Sequence, residues 1–287
     1  NLAQVVCECL RLPCPEPDLD DWKAMVEDLR HPNTEVEIAI AGKYIQLHDA
    51  YLSVAEALKH GGIAGHASVK IRWVDSEDIT ENSCEELLGG VDGILVPGGF
   101  GTRGTEGKIL TVKYARENKI PFLGICLGMQ TAIIEFARNV LGYHDANSME
   151  LNPDTLHPVI ALMPEQNGVE DLGGTLRLGS YPCRLKIGTK SYSLYGKEEI
   201  TERHRHRYEV NNDYRERLEE KGMTLAGLSP DGRIVEMIEI TDHPFFIGTQ
   251  GHPELKSRPN HAHPLFAGLV CAAVEYKKAE GFDYEKR

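Results

Sequence analysis

The heptapeptide Gly124-Ile125-Cys126-Leu127-Gly128-Met129-Gln130 places a thiol between small residues, after an apolar stretch and before an amphipathic one. Small flanks permit the tight strand-to-helix turn of a nucleophile elbow, which pushes one side chain out at the carboxyl end of a sheet. At the start of a helix, bare N–H groups and the helix dipole favour the thiolate, the nucleophilic form of cysteine. The competing reading is a buried structural thiol, which suits Cys183 and Cys271 better than Cys126.

A thiol nucleophile needs a base, and the base needs an orienting group. Gly251-His252-Pro253-Glu254 offers both: in an extended segment, two-residue spacing puts His252 and Glu254 on one face. His-Pro alone carries little weight in a chain with 12 His, of which His31, His157, His243 and His263 also precede Pro. The third feature is Pro97-Gly98-Gly99-Phe100-Gly101, whose bare backbone N–H groups suit an oxyanion hole. The expected donors are the amides of Gly99 and Leu127. A phosphate-binding loop is the rival reading, but the chain contains no G-x-x-x-x-G-K-[ST].

Arg203-His204-Arg205-His206-Arg207 is a basic run in an acidic chain. On a strand its three Arg share one face, where a guanidinium would clamp a carboxylate; a solvated edge strand is the plain alternative. Overall, 31 Lys and Arg against 44 Asp and Glu give a net charge of −13, which disfavours nucleic acid and anionic membranes as partners. The apolar runs 91–96 and 120–129 fall short of the ~20 residues of a membrane helix. Seven scattered Cys suit free thiols in a reducing cytoplasm, and the Cys7, Cys9 and Cys14 cluster lacks the partners of a zinc site, so no metal is expected.

The elements that would position these groups follow from periodicity. Residues 36–41, 69–74, 93–96 and 122–125 read as apolar strands, alternating with helices over 49–60 (ending at Gly61-Gly62), 107–118 and 127–140. That rhythm predicts an α/β fold: a mostly parallel central sheet with helices on both faces. Beyond Glu150, segments 175–178, 184–187, 204–210, 225–228 and 234–240 read as added antiparallel strands. Segment 245–249 is one more apolar strand, and 264–278 a closing helix. Residues 1–35 read as a linker with one short helix over 21–30, Asp20 as its N-cap and Trp22, Met25, Val26 and Leu29 as an apolar stripe that must pack on something. The amino terminus does not read as a secretory signal and is expected to be the start of a segment cut from a longer chain.

The elbow, the Pro-Gly-Gly-Phe-Gly loop and His-Pro-Glu together resemble the class I (triad) glutamine amidotransferases. The wider wording, Pro97 to Gly104, Asn147-Ser148-Met149-Glu150, Gly173-Gly174-Thr175-Leu176-Arg177-Leu178-Gly179 and Glu202 to Asn212, resembles the glutaminase half found in the CTP synthase family. That resemblance implies a glutaminase domain over 36–287, with 1–35 as the linker from an absent synthetase half. It also implies that Cys126 attacks the side-chain amide of L-glutamine, His252 moves the proton, Glu254 orients His252, and Gly99 and Leu127 hold the oxyanion. Gln130, Glu150 and Arg207 would contact the amino and carboxylate ends of glutamine, Phe100 would line the pocket, and Arg177 would sit in a lid.

The glutaminase step needs no cofactor in this family. The complete enzymes use ATP and Mg2+ to aminate UTP, take GTP as activator, and are cytoplasmic homo-oligomers, expected as tetramers. Gly251 and Leu255 stand where the family usually has Phe, so a looser wall around His252 is expected. Two other functions fit part of the pattern: a free-standing γ-glutamyl hydrolase, or a catalytically silent regulatory or assembly module.

Overall fold

The computed structural model describes residues 2–163 and 177–284. Two helices, α1 (Leu2–Leu10) and α2 (Asp20–Arg30), precede a run of alternating elements: β1 (Thr34–Gly42), α3 (Leu52–Ala64), β2 (Ala67–Asp75), α4 (Cys84–Leu88), β3 (Gly93–Val96), α5 (Thr105–Glu117), β4 (Phe122–Ile125) and α6 (Leu127–Asn139). The chain continues through β5 (Asn147–Ser148), β6 (Pro158–Ala161), β7 (Arg177–Leu185), α7 (Lys190–Tyr195), β8 (Glu199–His206), β9 (Glu209–Val210) and α8 (Arg215–Glu220). It closes with β10 (Met223–Leu228), β11 (Val235–Ile240), β12 (Phe246–Thr249) and α9 (Pro264–Tyr284).

Nine strands form one sheet in the order β2-β1-β3-β4-β12-β11-β10-β7-β8. The first five in that order pair in parallel, and from β12 onward every pairing is antiparallel. Strands β3, β4 and β12 are buried at every residue, which is why they read as unbroken apolar runs rather than alternating ones. One face packs on α5 and α6 through residues such as Val112, Ile133 and Phe136; the other packs on α3 and α9 through Leu58, Phe266 and Val270. Strands β5, β6 and β9 make a small second sheet. Among the described residues no helix is long and apolar enough to cross a membrane.

Several elements depart from the pattern expected of the sequence. Helix α3 does not stop at Gly61-Gly62 but runs on to Ala64. A Cβ at Gly61 would lie 2.7 Å from the Phe266 carbonyl oxygen, and one at Gly62 would lie 2.6 Å from that of Ala67. These glycines therefore serve close packing on α9 and β2, not helix termination. The expected strand at 184–187 is the tail of a single strand, β7, and the expected strand 204–210 breaks after His206 into β8 and β9. Residues 175 and 176 of another expected strand lie outside the described residues.

Helices α4, α7 and α8 are short enough to lack a readable period, although α7 carries a local signal: Thr189 caps it by accepting from the Tyr192 N–H, and Gly196 ends it. Before β1 there are two helices rather than one, and neither buries a residue. The α2 stripe stays largely in solvent, with Trp22 47% and Leu29 57% exposed. Asp20 is the first helical residue, with Leu19 rather than Asp20 in the capping position.

Candidate active site

Cys126 sits between β4 and α6 at φ 53°, ψ −105°, a left-handed backbone that a residue with a side chain adopts at a cost. The flanking glycines make that turn possible. A Cβ at Gly128 would lie 2.1 Å from the Val96 carbonyl oxygen, and one at Gly124 would lie 2.7 Å from the Gly128 backbone. No side chain fits at either place, and the thiol is delivered at the carboxyl edge of the parallel strands with 3% of its residue surface exposed.

Register brings His252 toward Cys126. Strand β12 lies parallel to β4 with Thr249 opposite Ile125, so Gln250 and Cys126 emerge side by side. Two residues on, the backbone N–H of His252 donates to the Arg203 carbonyl at 2.7 Å, and His252 Nδ1 lies 2.7 Å from Glu254 Oε1. Glu254 reaches it from a 3-10 turn, Pro253–Leu255, rather than from the expected extended segment, because Pro253 fixes φ and opens the turn. Gly98 is wedged between base and thiol: a Cβ there would lie 3.1 Å from His252 Cε1 and 3.4 Å from Cys126 Cβ. Burial works against a charged His252, but the Cys126 sulfur and the Glu254 carboxylate outweigh it and push its pKa up to about 10. The expected loose wall is filled on one side, since a Cβ at Gly251 would lie 2.7 Å from Glu202 Cβ. Leu255 is 54% exposed and lines the cleft mouth.

The glycine loop is held by two lysines. Lys108 on α5, fully buried, donates to the Pro97 carbonyl at 3.2 Å, and Lys43 at the end of β1 donates to the Phe100 carbonyl. Drawing these carbonyls inward leaves the intervening amides free to turn toward the thiol. Burial, then the neighbouring charge of Lys43, pulls the Lys108 pKa down to about 7, with Cys126 opposing. Gly99 lies against Leu127, whose Cδ2 would be 3.7 Å from a Cβ there. Leu127 opens α6, so its N–H has no helical carbonyl to meet.

The four residues expected to hold glutamine fall around the same edge. Phe100 is half-exposed, with the Arg205 guanidinium 5.8 Å from its ring centre. Gln130 Nε2 donates to the Tyr208 carbonyl at 3.0 Å and to Gln250 Oε1 at 3.1 Å. The Glu150 carboxyl is raised by burial, against the Gly101 N–H and the positive charges of Arg207 and Lys43, which places these groups together. Arg207 lies past the end of β8, not on a shared strand face with the exposed Arg203 and Arg205, and its buried Nε has no partner among the described residues. Arg177 is engaged elsewhere: its guanidinium meets Glu236 at 2.8 Å and Glu209 at 3.2 Å and stacks 4.4 Å from the Tyr181 ring centre. The preceding Gly173-Gly174-Thr175-Leu176 lie outside the described residues.

A cleft of about 370 Å³ opens beside Gly98, Gly99, Phe100 and His252. A larger one, about 540 Å³, lies along Leu185, Arg215, Leu225 and Leu228 and holds none of these groups. Gln250 and Lys108 are absent from the sequence reading. Gln250 had one signal, its place at the end of the strand that carries His252. Lys108 had none, since a lysine in an amphipathic helix is expected on the surface.

Comparison with known proteins shows the family to which the chain belongs. The family Glutamine amidotransferase class-I matches residues 46–272. A CTP synthase of Clostridium beijerinckii is 57% identical over 280 residues, 98% of this chain and 52% of that relative. One of Halalkalibacterium halodurans is 60% identical over 274 residues, 96% of this chain and 52% of that relative. The chain thus spans about half the length of the curated relatives it matches. The glutaminase domain of Trypanosoma brucei CTPS, solved with bound acivicin, superposes with a TM-score of 0.80 at 37% identity, covering 84% of this chain and 94% of that domain.

Proposed function

Because the chain belongs to the class-I glutamine amidotransferases, we propose that it is the glutamine-hydrolysing half of a CTP synthase. The observation that carries this reading is the meeting of Cys126, His252 and Glu254 at one sheet edge beneath the Gly98-Gly99 loop. In this reading the Cys126 thiolate attacks the side-chain carbonyl carbon of glutamine, and the oxyanion is held by the N–H groups of Gly99 and Leu127. Imidazolium at His252, favoured by its raised pKa, gives its proton to the departing nitrogen, which leaves as ammonia. Water then attacks the γ-glutamyl thioester while His252 takes the proton back, and glutamate departs.

Arg207, with its buried and unpaired Nε, would take the substrate α-carboxylate. Glu150 and the Oε1 of Gln130, whose nitrogen is already used twice, would accept from the α-ammonium group. Phe100 would flank the aliphatic part. Residues 1–35 act as the linker and 36–287 as the glutaminase domain of a longer, cytoplasmic and tetrameric enzyme. There the synthetase half uses ATP and Mg2+ to aminate UTP, with GTP as activator. Among the described residues no cluster of three or more His, Cys, Asp or Glu is disposed to hold a metal.

The test is release of glutamate and ammonia from L-glutamine by the wild type and by Cys126→Ala. Hydrolysis by the wild type alone is expected, and hydrolysis surviving in the variant overturns the assignment. Faster turnover of γ-glutamyl peptides than of glutamine would point instead to a general γ-glutamyl hydrolase.

A further inference from the structure

Gln250 is fully buried and stands directly beside the nucleophile, with Nε2 3.5 Å from Cys126 Sγ. The orientation of its amide is dictated from a distance. The Tyr208 carbonyl is able only to accept, so the Gln130 amide must face it with nitrogen, at 3.0 Å. The same nitrogen has a second hydrogen, and it points to Gln250 at 3.1 Å, which must therefore present its oxygen. That leaves the Gln250 N–H groups aimed at the sulfur. Three segments distant in sequence supply the parts: α6 gives Gln130, the turn after β8 gives Tyr208, and the residue after β12 is Gln250. The backbone N–H of Gln250 is fixed as well, donating to the Glu236 carbonyl at 2.8 Å.

We propose that Gln250 is a catalytic residue whose side-chain N–H stabilises the Cys126 thiolate, held in the donating orientation by Gln130 and the Tyr208 carbonyl. The inference rests on Cys126 being the nucleophile and adds a donor distinct from the oxyanion amides. A hydrogen bond to a charged acceptor is stronger than one between neutral groups, so the contact favours the thiolate over the thiol. It also links the substrate pocket to the sulfur, because Gln130 and Tyr208 border the place assigned to the substrate amino acid head.

The test is the pH dependence of Cys126 alkylation by iodoacetamide, read at that residue by peptide mass spectrometry, with glutamine hydrolysis followed in parallel. In Gln250→Leu the midpoint of alkylation is expected to rise by about one pH unit, and kcat for glutamine to fall roughly 10- to 100-fold with KM changed little. Gln130→Leu should raise the midpoint too, since it frees the Gln250 amide to turn. The double variant should then shift it no further than Gln250→Leu alone. An unmoved midpoint in Gln250→Leu, or a double variant equal to the sum of the single shifts, overturns the relay. If the leucine variant does not fold, Gln250→Met gives the same readout. Loss of hydrolysis with an unmoved midpoint removes the relay and leaves the glutaminase reading standing. A moved midpoint in a chain whose wild type does not hydrolyse glutamine removes the glutaminase reading and leaves the relay.

Discussion

The two halves of the central sheet build their functional parts by opposite means. On the parallel side, β3, β4 and β12 end at one edge, and each is followed at once by residues of the proposed site: Gly98-Gly99, Cys126, then Gln250 and His252. Backbone direction alone brings these together, since parallel neighbours with matched register must release their next residues side by side. On the antiparallel side, contacts depend on which distant residues fall opposite one another. Register sets Arg177 against His206, and its guanidinium bridges Glu209 and Glu236, while Glu202 meets His263 at 3.0 Å. The parallel half assembles chemistry, and the antiparallel half assembles a buried charge network that shapes the wall around it.

If that division holds, variants in the two halves fail differently. The largest effect is expected at His252→Ala, with kcat for glutamine down about 10⁴-fold or more and a thermal transition retained. A residual rate within tenfold of wild type would mean that the base lies elsewhere. Next is Arg177→Ala, which leaves the buried Glu236 without its guanidinium partner and Glu209 with only the His206 imidazole at 2.8 Å, and should cost about 3–5 kcal/mol in urea unfolding. Turnover of the protein that remains folded should be nearly unchanged; a catalytic loss without a stability loss would instead support the lid role implied by family resemblance.

Lys108→Met works in the other direction. The buried ammonium has a folded pKa of about 7 against 10.5 when exposed, so its burial penalty is full below pH 7 and relieved as pH rises toward 10.5. The variant should therefore be more stable than wild type by roughly 1–4 kcal/mol at pH 6, with the gain shrinking by pH 10. It should also turn over more slowly, because the Pro97 carbonyl loses its anchor. A gain that grows with pH would contradict the burial argument. The smallest effect is Arg207→Ala, expected to raise KM for glutamine about 10- to 100-fold with kcat within a few-fold, the mark of a binding rather than a reacting group. Equal losses in kcat and kcat/KM would move Arg207 to the chemical side of the comparison.

The same contrast explains what was legible in the sequence. Cys126 between Gly124 and Gly128, the Gly98-Gly99 loop and His252 with Glu254 are local motifs on successive parallel strands, and neighbours in sequence report them. Two-residue spacing makes the segment from His252 to Glu254 read as extended, whereas Pro253 opens a 3-10 turn there. Gly61 and Gly62 look like a helix end because their packing against Phe266 and Ala67 is tertiary. Lys108, Gln250 and the partners of Arg177 were invisible for a shared reason: each is defined by atoms more than ten residues away, and spacing carries no record of them. The basic run displays the charge of Arg203, Arg205 and Arg207 alike, and the place of Arg207 beyond the strand end depends on the break after His206.

The proposed chemistry turns on a covalent bond between Cys126 and glutamine. Acid quenching of the chain during turnover with isotopically labelled L-glutamine, followed by peptide mass spectrometry, examines that bond directly. A γ-glutamyl thioester is expected on the peptide bearing Cys126, absent in Cys126→Ala. Label on another of the seven cysteines, or glutamine turnover with no adduct trapped at any of them, would contradict it.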